Sequence, residues 1–307
     1  MSYDLAILGG GPAGVAAGVY ASRKRLRAVL ITDSFGGQSI VSPDIQNWVG
    51  TVSISGEQLA KDLKTHLIKY KEDVVDVVER ERVAEISKGK DGFDVKTSSG
   101  KNFQAKTVLV ATGSHRRKLE IPGANEFENK GVTYCASCDG PLFSGQDTVI
   151  IGGGNAAFET AAQLLAYCSS VTLINRSEKF RADLVTIKKL SGNPKFKILT
   201  SAVPTEIKGG KFVEAIVYQN AETKEKKEIK TGGVFVEIGL LPNTDYLGNL
   251  VEFDEFKRVK VNPKNQRASL EGIWAAGDCT DGLYHQNNIA AGDGVKALED
   301  IYLFIHA

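Results

Sequence analysis

A chain of 307 residues, 42% hydrophobic and 24% charged, is long enough for two globular domains with cores of their own. Its formal net charge of +1 offers no electrostatic footprint for nucleic acid or for a membrane surface. No apolar run reaches membrane-spanning length, Asp4 interrupts the N-terminal run, and four cysteines make no disulfide framework, so a cytoplasmic setting is expected.

Asp4 to Gly9 reads as a buried strand, Pro12 to about Lys24 as a helix entered through glycine, and Ala28 to Thr32 as the next strand. This β-α-β unit carries G-x-G-x-x-G. Gly9 permits the tight turn, Gly11 lets a pyrophosphate approach the backbone, and Gly14 lets helix and strand pack closely. Pro12 suits the first helical turn, whose N–H groups then face the phosphate. Asp33, just past the second strand, stands where an acid would accept ribose hydroxyls. The stretch from Gly36-Gly37-Gln38 to Asn47-Trp48 has no regular period, whereas Leu59, Leu63, Leu67 and Tyr70 mark one face of a helix over 57–70. Short strands follow between Val74 and Thr97, and a buried one over 107–111 ends in Ala111-Thr112-Gly113. Ser114 to Lys118 and Ile121-Pro122-Gly123 break the pattern as a linker, with His115 and the basic residues Arg116, Arg117 and Lys118 read as solvated.

Cys135-Ala136-Ser137-Cys138-Asp139-Gly140 places two thiols within one turn, followed by an acid. Half of a zinc site has the same spacing. A structural zinc needs four ligands, and here Cys168 and Cys279 stand alone with no His pair at ligand spacing. A second fingerprint follows the strand Val149-Ile150-Ile151: Gly152-x-Gly154-x-x-Ala157, with Ala in third place. The helix after it, Ala156 to about Cys168, is apolar nearly all round and is expected to be buried against a sheet, with Cys168 part of that packing. Past the strand 171–174 come Asn175-Arg176-Ser177 and Phe180-Arg181, where arginines suit a 2′-phosphate; a basic solvent-facing loop would look the same. Phe196 to Gln219 and Glu228 to Gly239 alternate as strands, and the Lys/Glu-rich stretch 222–230 reads as a solvated hairpin. Leu240 to Asn243 forms a second linker. Ile273 to Ala276 is a strand ending in Gly277-Asp278, and a final helix begins near Gln286 with Ile289, Val295, Leu298 and Ile301 among its apolar positions.

The ordered set of Gly9 to Gly14, Gly36-Gly37-Gln38, Asn47-Trp48, Ala111-Thr112-Gly113, Cys135 to Gly140, Gly152 to Asn155, Phe180-Arg181-Ala182 and Ala276-Gly277-Asp278 resembles the low-molecular-weight thioredoxin reductases over essentially the whole chain. Cys138 to Phe143 and Ile238 to Thr244 also resemble the flavoprotein subunit of alkyl hydroperoxide reductase, which prefers NADH and has an N-terminal thioredoxin-like part, for which there is no room before Gly9. The resemblance implies an α/β fold of two Rossmann-like three-layer domains, the second inserted in the first. FAD would be held by residues 1–115 and 244–307, and NADPH, with NADH possible, by residues 118–241. It implies a homodimer acting on thioredoxin or a thioredoxin-like protein disulfide.

For FAD the resemblance adds Ala13, Gly37, Gln38, Asn47, Val83, Ala111, Thr112, Gly113, Gly277, Asp278, Gln286 and Asn287 to the first turn and Asp33. For the nicotinamide nucleotide it adds Asn155, Ala156, Ala157, Asn175, Arg176, Arg181, Ile238 and Gly239 to Gly152 and Gly154. By the same analogy Cys138 faces the flavin, Cys135 attacks the substrate disulfide, and Asp139 moves the proton. One departure stands out: Asn175-Arg176-Ser177 replaces the family's His-Arg-Arg, removing one phosphate-clamping arginine and weakening the preference for NADPH. The rival expectations are an NADH-dependent reductase serving a peroxiredoxin or glutaredoxin-like system, and a redox-sensing FAD protein without turnover.

Overall fold

The computed structural model describes residues 2–42 and 44–307, and divides the chain into two units: the segment ending at His115 joined by Leu241–Ala307, and Arg116–Leu240. In chain order come β1 (Ser2–Gly10), α1 (Pro12–Arg23), β2 (Ala28–Phe35), α2 (Gly56–Tyr70), β3 (Val75–Glu79), β4 (Val83–Gly89), β5 (Gly92–Thr97) and β6 (Asn102–Val110). The crossing strand β7 (Ser114–Arg116) leads to β8 (Val132–Thr133), α3 (Ala136–Asp139), β9 (Asp147–Ile151), α4 (Asn155–Leu164), β10 (Ser170–Ile174) and α5 (Leu184–Ser191). Then follow β11 (Phe196–Leu199), β12 (Ala202–Gly209), β13 (Val213–Asn220), β14 (Lys226–Lys230) and β15 (Gly233–Val236). The return strand β16 (Leu240–Pro242) precedes β17 (Ile273–Ala275) and α6 (Asn287–His306).

In the first unit one sheet runs β3-β2-β1-β6-β5-β4, with β17 also paired to β6. β1 pairs in parallel with β2 and β6, as a β-α-β crossover requires. Successive side chains of β1 point to opposite faces. Leu5 and Ile7 join α1 and α6 in one core, whereas Ala6 and Leu8 join Val29, Ile31, Phe93 and Val95 in the other. Burial on both faces is why these strands read as unbroken apolar runs.

The second unit centres on a five-stranded sheet, β11-β10-β9-β15-β8, all of whose pairings are parallel, with the antiparallel sheet β12-β13-β14 beside it. Val149 and Ile151 pack toward Ile207, Val213 and Ile216, while Ile150 and Phe235 pack toward Ala157, Phe158, Ala161 and Leu164 of α4. The unit is therefore three-layered: helices, parallel sheet, antiparallel sheet.

Four expectations change. The two linkers are not irregular: β7 and β16 pair with each other, which satisfies backbone groups that the broken sequence pattern left unassigned. Strand β2 continues through Asp33 to Phe35, which pairs with Gly10. Helix α4 stops at Leu164, because Ala166 and Tyr167 bond back three residues rather than four. It packs against the sheet as expected, through Ala157, Phe158, Ala161 and Leu164, and leaves Ala156, Glu159 and Ala162 exposed. In α6 the core face is Ala290, Gly294, Ala297, Leu298 and Ile301, with Ile289 exposed.

Candidate active site

Cys135 and Cys138 are joined in a disulfide, and Cys135 caps the four-residue helix α3 that carries Cys138 and Asp139. Both cysteines are partly buried and Ser137 between them is exposed. Helix α3 lies on α4, where Ser137 Oγ donates to Gln163 Oε1 at 3.4 Å. Cys168 and Cys279 are buried and outside any disulfide, and burial raises both thiols, that of Cys279 to about 12, which disfavours the reactive thiolate. Asp139 is the polar centre of this region. The Thr133 hydroxyl donates to its Oδ2, while Oδ1 is buried with no hydrogen-bond partner among the described residues. Burial raises its pKa, opposed by the Thr133 bond and by the charge of Arg116. A carboxyl of this kind keeps its proton to higher pH than an exposed one.

A second acid, Glu237, with 12% of its side chain exposed, follows β15 directly. It accepts from Thr160 Oγ1 of α4 at 2.9 Å and lies 3.7 Å from Arg116 Nη1. Burial pushes its pKa up to about 7, against the pull of Arg116 and Thr160.

In the first unit, the glycine turn before α1 is shaped by backbone contacts. Gly9 has φ +116°, and a Cβ there would meet the Ala111 carbonyl oxygen at 2.2 Å; one on Gly14 would meet the Gly9 oxygen at 1.9 Å. Gly11, by contrast, faces open space apart from Gly37 Cα at 3.9 Å, and it caps α1 without any side-chain acceptor. The uncapped N–H groups and the bare glycine form a cradle that a pyrophosphate fits. Around it, Gln38 Nε2 donates to Ser114 Oγ and to Asp278 Oδ2, both at 3.2 Å. Ser39 Oγ donates to Asn287 Oδ1 at 2.9 Å, and Asn47 Nδ2 to Gln286 Oε1 at 3.1 Å. A Cβ on Gly277 would touch Ala13, and Gly113 (φ +62°) is open. Residues distant in sequence thus share one end of the parallel strands. Thr112 Oγ1 donates to the Asn243 carbonyl at 2.7 Å.

Two further expected members make contacts of their own. Asp33 is held by Arg82, whose Nε and Nη2 donate to Oδ2 at 2.9 and 2.6 Å, so its carboxylate already has a cation as partner. Val83, next to that arginine, is half-buried against the core of its unit.

The second turn repeats the design. Gly152 has φ +144°, and a Cβ would meet the Glu237 carbonyl oxygen at 2.2 Å. Gly154 has nothing within 4 Å and caps α4 with no side-chain acceptor. Ala157 is fully buried under the turn, Ala156 is exposed, and Gly239 (φ +107°), after the half-buried Ile238, is open. Arg181 donates its backbone N–H to the Gly153 carbonyl at 2.8 Å, and both Arg181 and Arg176 are exposed with no ion pair among the described residues. The other two expected residues bond within the loop. Asn175 is buried and its Nδ2 donates to the Ser177 and Lys179 carbonyls, and Asn155 Oδ1 accepts from the Asp183 N–H at 2.9 Å. Both sets of bonds shape the loop.

The sequence matches the profile of the family described as pyridine nucleotide-disulphide oxidoreductase over residues 3–294. The chain belongs to that family. It is similar to the NADH dehydrogenase of Bacillus subtilis (strain 168), 38% identical over 295 residues, covering 96% of this chain and 57% of the relative. It is also similar to a subunit of alkyl hydroperoxide reductase from Escherichia coli (strain K12), 37% identical over 297 residues with the same coverage. The chain spans a little over half the length of these curated relatives. Among solved structures it resembles thioredoxin reductase from Streptococcus pyogenes MGAS5005 (TM-score 0.89, 32% identity, 99% of this chain and 98% of that one). It also resembles thioredoxin reductase from Giardia duodenalis (TM-score 0.93, 29% identity, 100% and 99%). The fold is that of these two-domain reductases, and no helix among the described residues is long and apolar enough to cross a membrane.

Thr133, Arg116, Thr160 and Glu237 escaped the sequence reading. Glu237 had left a trace, as the one acid inside the apolar run Val234 to Ile238. The others are ordinary residues whose importance comes from contacts across the fold.

Proposed function

We propose that this family member is an FAD-dependent disulfide reductase of thioredoxin reductase type, driven by NADPH and acting on thioredoxin or a similar small protein disulfide as a homodimer in the cytoplasm. The observation that carries the reading is the Cys135–Cys138 disulfide followed by the half-buried Asp139, whose pKa burial raises, in the unit that bears the second glycine turn. The first unit, with Gly9 to Gly14, Gln38, Asn47, Asp278, Gln286 and Asn287, would hold FAD, and Gly152 to Ala157 with Arg176 and Arg181 would hold the nucleotide. Bound FAD supplies a two-electron relay between nicotinamide and a disulfide. Once Cys135 and Cys138 are reduced, the Cys135 thiolate attacks one sulfur of the substrate disulfide, and the departing thiolate takes a proton from Asp139. Cys138 then attacks Cys135, which releases the second substrate thiol and re-forms the starting disulfide.

A second reading, an NADH-dependent reductase of a peroxiredoxin system, is favoured by the identity to the alkyl hydroperoxide reductase subunits and by the inward turn of Asn175. Anaerobic stopped-flow bleaching of the flavin by NADPH and NADH, in wild type and Cys138→Ser, tests both. The proposal expects faster bleaching by NADPH, retained in the variant, with loss of protein-disulfide reduction. Faster bleaching by NADH moves the protein to the second reading, and disulfide reduction by Cys138→Ser refutes the mechanism.

A further inference from the structure

Arg82 lies outside both glycine turns and the redox pair, yet it is fixed against the end of β2 that borders the first turn. The backbone on either side of Asp33 rests on that turn. Gly36 donates its N–H to the Gly10 carbonyl at 3.0 Å, and a Cβ on Gly10 would meet Thr32 Oγ1 at 2.6 Å and the Ser34 carbonyl oxygen at 2.8 Å. The segment before β4 is anchored at the same place. Glu81 donates its N–H to the Thr32 carbonyl at 3.1 Å, and the Arg82 carbonyl accepts from the Ser98 N–H at 2.8 Å. From that backbone the Arg82 guanidinium donates Nε and Nη2 to one oxygen of Asp33, Oδ2, at 2.9 and 2.6 Å. No hydrogen bond to Oδ1 occurs among the described residues, and 50% of the Asp33 side chain is exposed. An ion pair so open to solvent, with Arg82 75% exposed, adds little to stability. Two donors on one oxygen have a different effect: they restrict the carboxylate to one orientation and leave its second oxygen as an acceptor.

Resting on the reading of the first unit as the FAD site, we propose that Arg82 is a positioning residue for the adenosine end of that cofactor, holding Asp33 so that Oδ1 accepts the ribose hydroxyls. An acid at the end of the second strand of a β-α-β unit is placed for those hydroxyls. The arginine behind it acts through Asp33 and makes the site selective for a dinucleotide whose adenosine ribose is intact. A lysine would supply a single point charge without the paired N–H geometry.

The test is titration of the flavin-free full chain with FAD and with FAD analogues built on 2′-deoxyadenosine and 3′-deoxyadenosine, followed by the change in flavin fluorescence. Wild type is expected to bind at least one analogue about tenfold more weakly than FAD, as the loss of a hydrogen bond to a charged group implies. Arg82→Leu weakens FAD about three- to tenfold and leaves that analogue within about twofold, so the discrimination shrinks toward one. Asp33→Ala does the same, and adding Arg82→Leu to it causes no further loss, whereas Arg82→Lys keeps part of the discrimination. Equal weakening of FAD and the analogue in Arg82→Leu overturns the inference, as does discrimination retained in full by that variant or absent from wild type. A wild-type chain that binds no FAD overturns the FAD reading itself.

Discussion

Gly140 follows Asp139 directly, and a methyl group there would sit 2.1 Å from Tyr167 Oη, 3.2 Å from its Cζ and 3.3 Å from Leu164 Cδ2. Its φ of −49° suits any residue, so the objection to Gly140→Ala is purely steric. Relieving a contact about 1 Å too short against a packed ring is expected to cost about 1–3 kcal/mol. Tyr167→Phe removes the clashing atom. That hydroxyl is buried with no hydrogen-bond partner among the described residues, so its loss is expected to change stability by no more than about 0.5 kcal/mol. In the Phe background the nearest remaining atoms lie beyond 3 Å and yield to a small shift, so Gly140→Ala then costs less than about 1 kcal/mol, a coupling of about 1–2 kcal/mol. The assay must report on the second unit, and Trp48 and Trp274 both lie in the first. Cys168, 1% exposed within the second unit, is the better probe, labelled by a thiol reagent across a urea titration and read by peptide mass spectrometry. Additivity of the two substitutions within about 0.5 kcal/mol would refute the packing of Tyr167 on the disulfide segment.

Asp139→Asn removes the proton donor while keeping the Thr133 bond partner, and is expected to slow disulfide exchange by about 10²–10⁴-fold and abolish the falling limb of its pH profile, with flavin reduction by nucleotide unchanged. Glu237 makes stability depend on pH. Its folded pKa of about 7 exceeds the unfolded 4.5, so its contribution is full below 4.5 and lost as pH rises through 7. That difference amounts to about 3 kcal/mol at most, and Glu237→Gln should flatten the dependence between pH 5 and 8 in urea titrations of the second unit. Gly14→Ala places a methyl 1.9 Å from the Gly9 carbonyl oxygen, backbone against backbone, and is expected to cut flavin content per purified chain by at least tenfold; near-stoichiometric flavin absorbance would refute the tight packing of the first turn.

Both glycine turns were legible because each glycine answers a backbone requirement that only sequence position expresses. At Gly9 and Gly152 a positive φ and a carbonyl within about 2.2 Å of any Cβ leave no other choice. The cysteine pair was legible because a disulfide across two intervening residues is a local matter. Asp33 was legible as an acid near the end of β2, but its bonds from Arg82, forty-nine residues later, were not. Asn175 and Arg176 are adjacent in sequence, yet one is buried in its loop and the other exposed, a distinction that charge patterning does not carry.

Local chemistry therefore determined the strands, the phosphate-facing turns, the redox pair and the family resemblance, since these depend on residues within a few positions of one another. Tertiary structure alone decided the environment of the proton. Asp139 is adjacent to Cys138 in sequence, but its raised pKa comes from burial, and its partners Thr133 and Arg116 arrive from β8 and β7. Glu237 reaches Thr160 and Arg116 only because β15 lies in the sheet beside β9 and under α4. Desolvation and the field of a distant charge are sums over everything nearby in space, and a linear sequence does not state what is near.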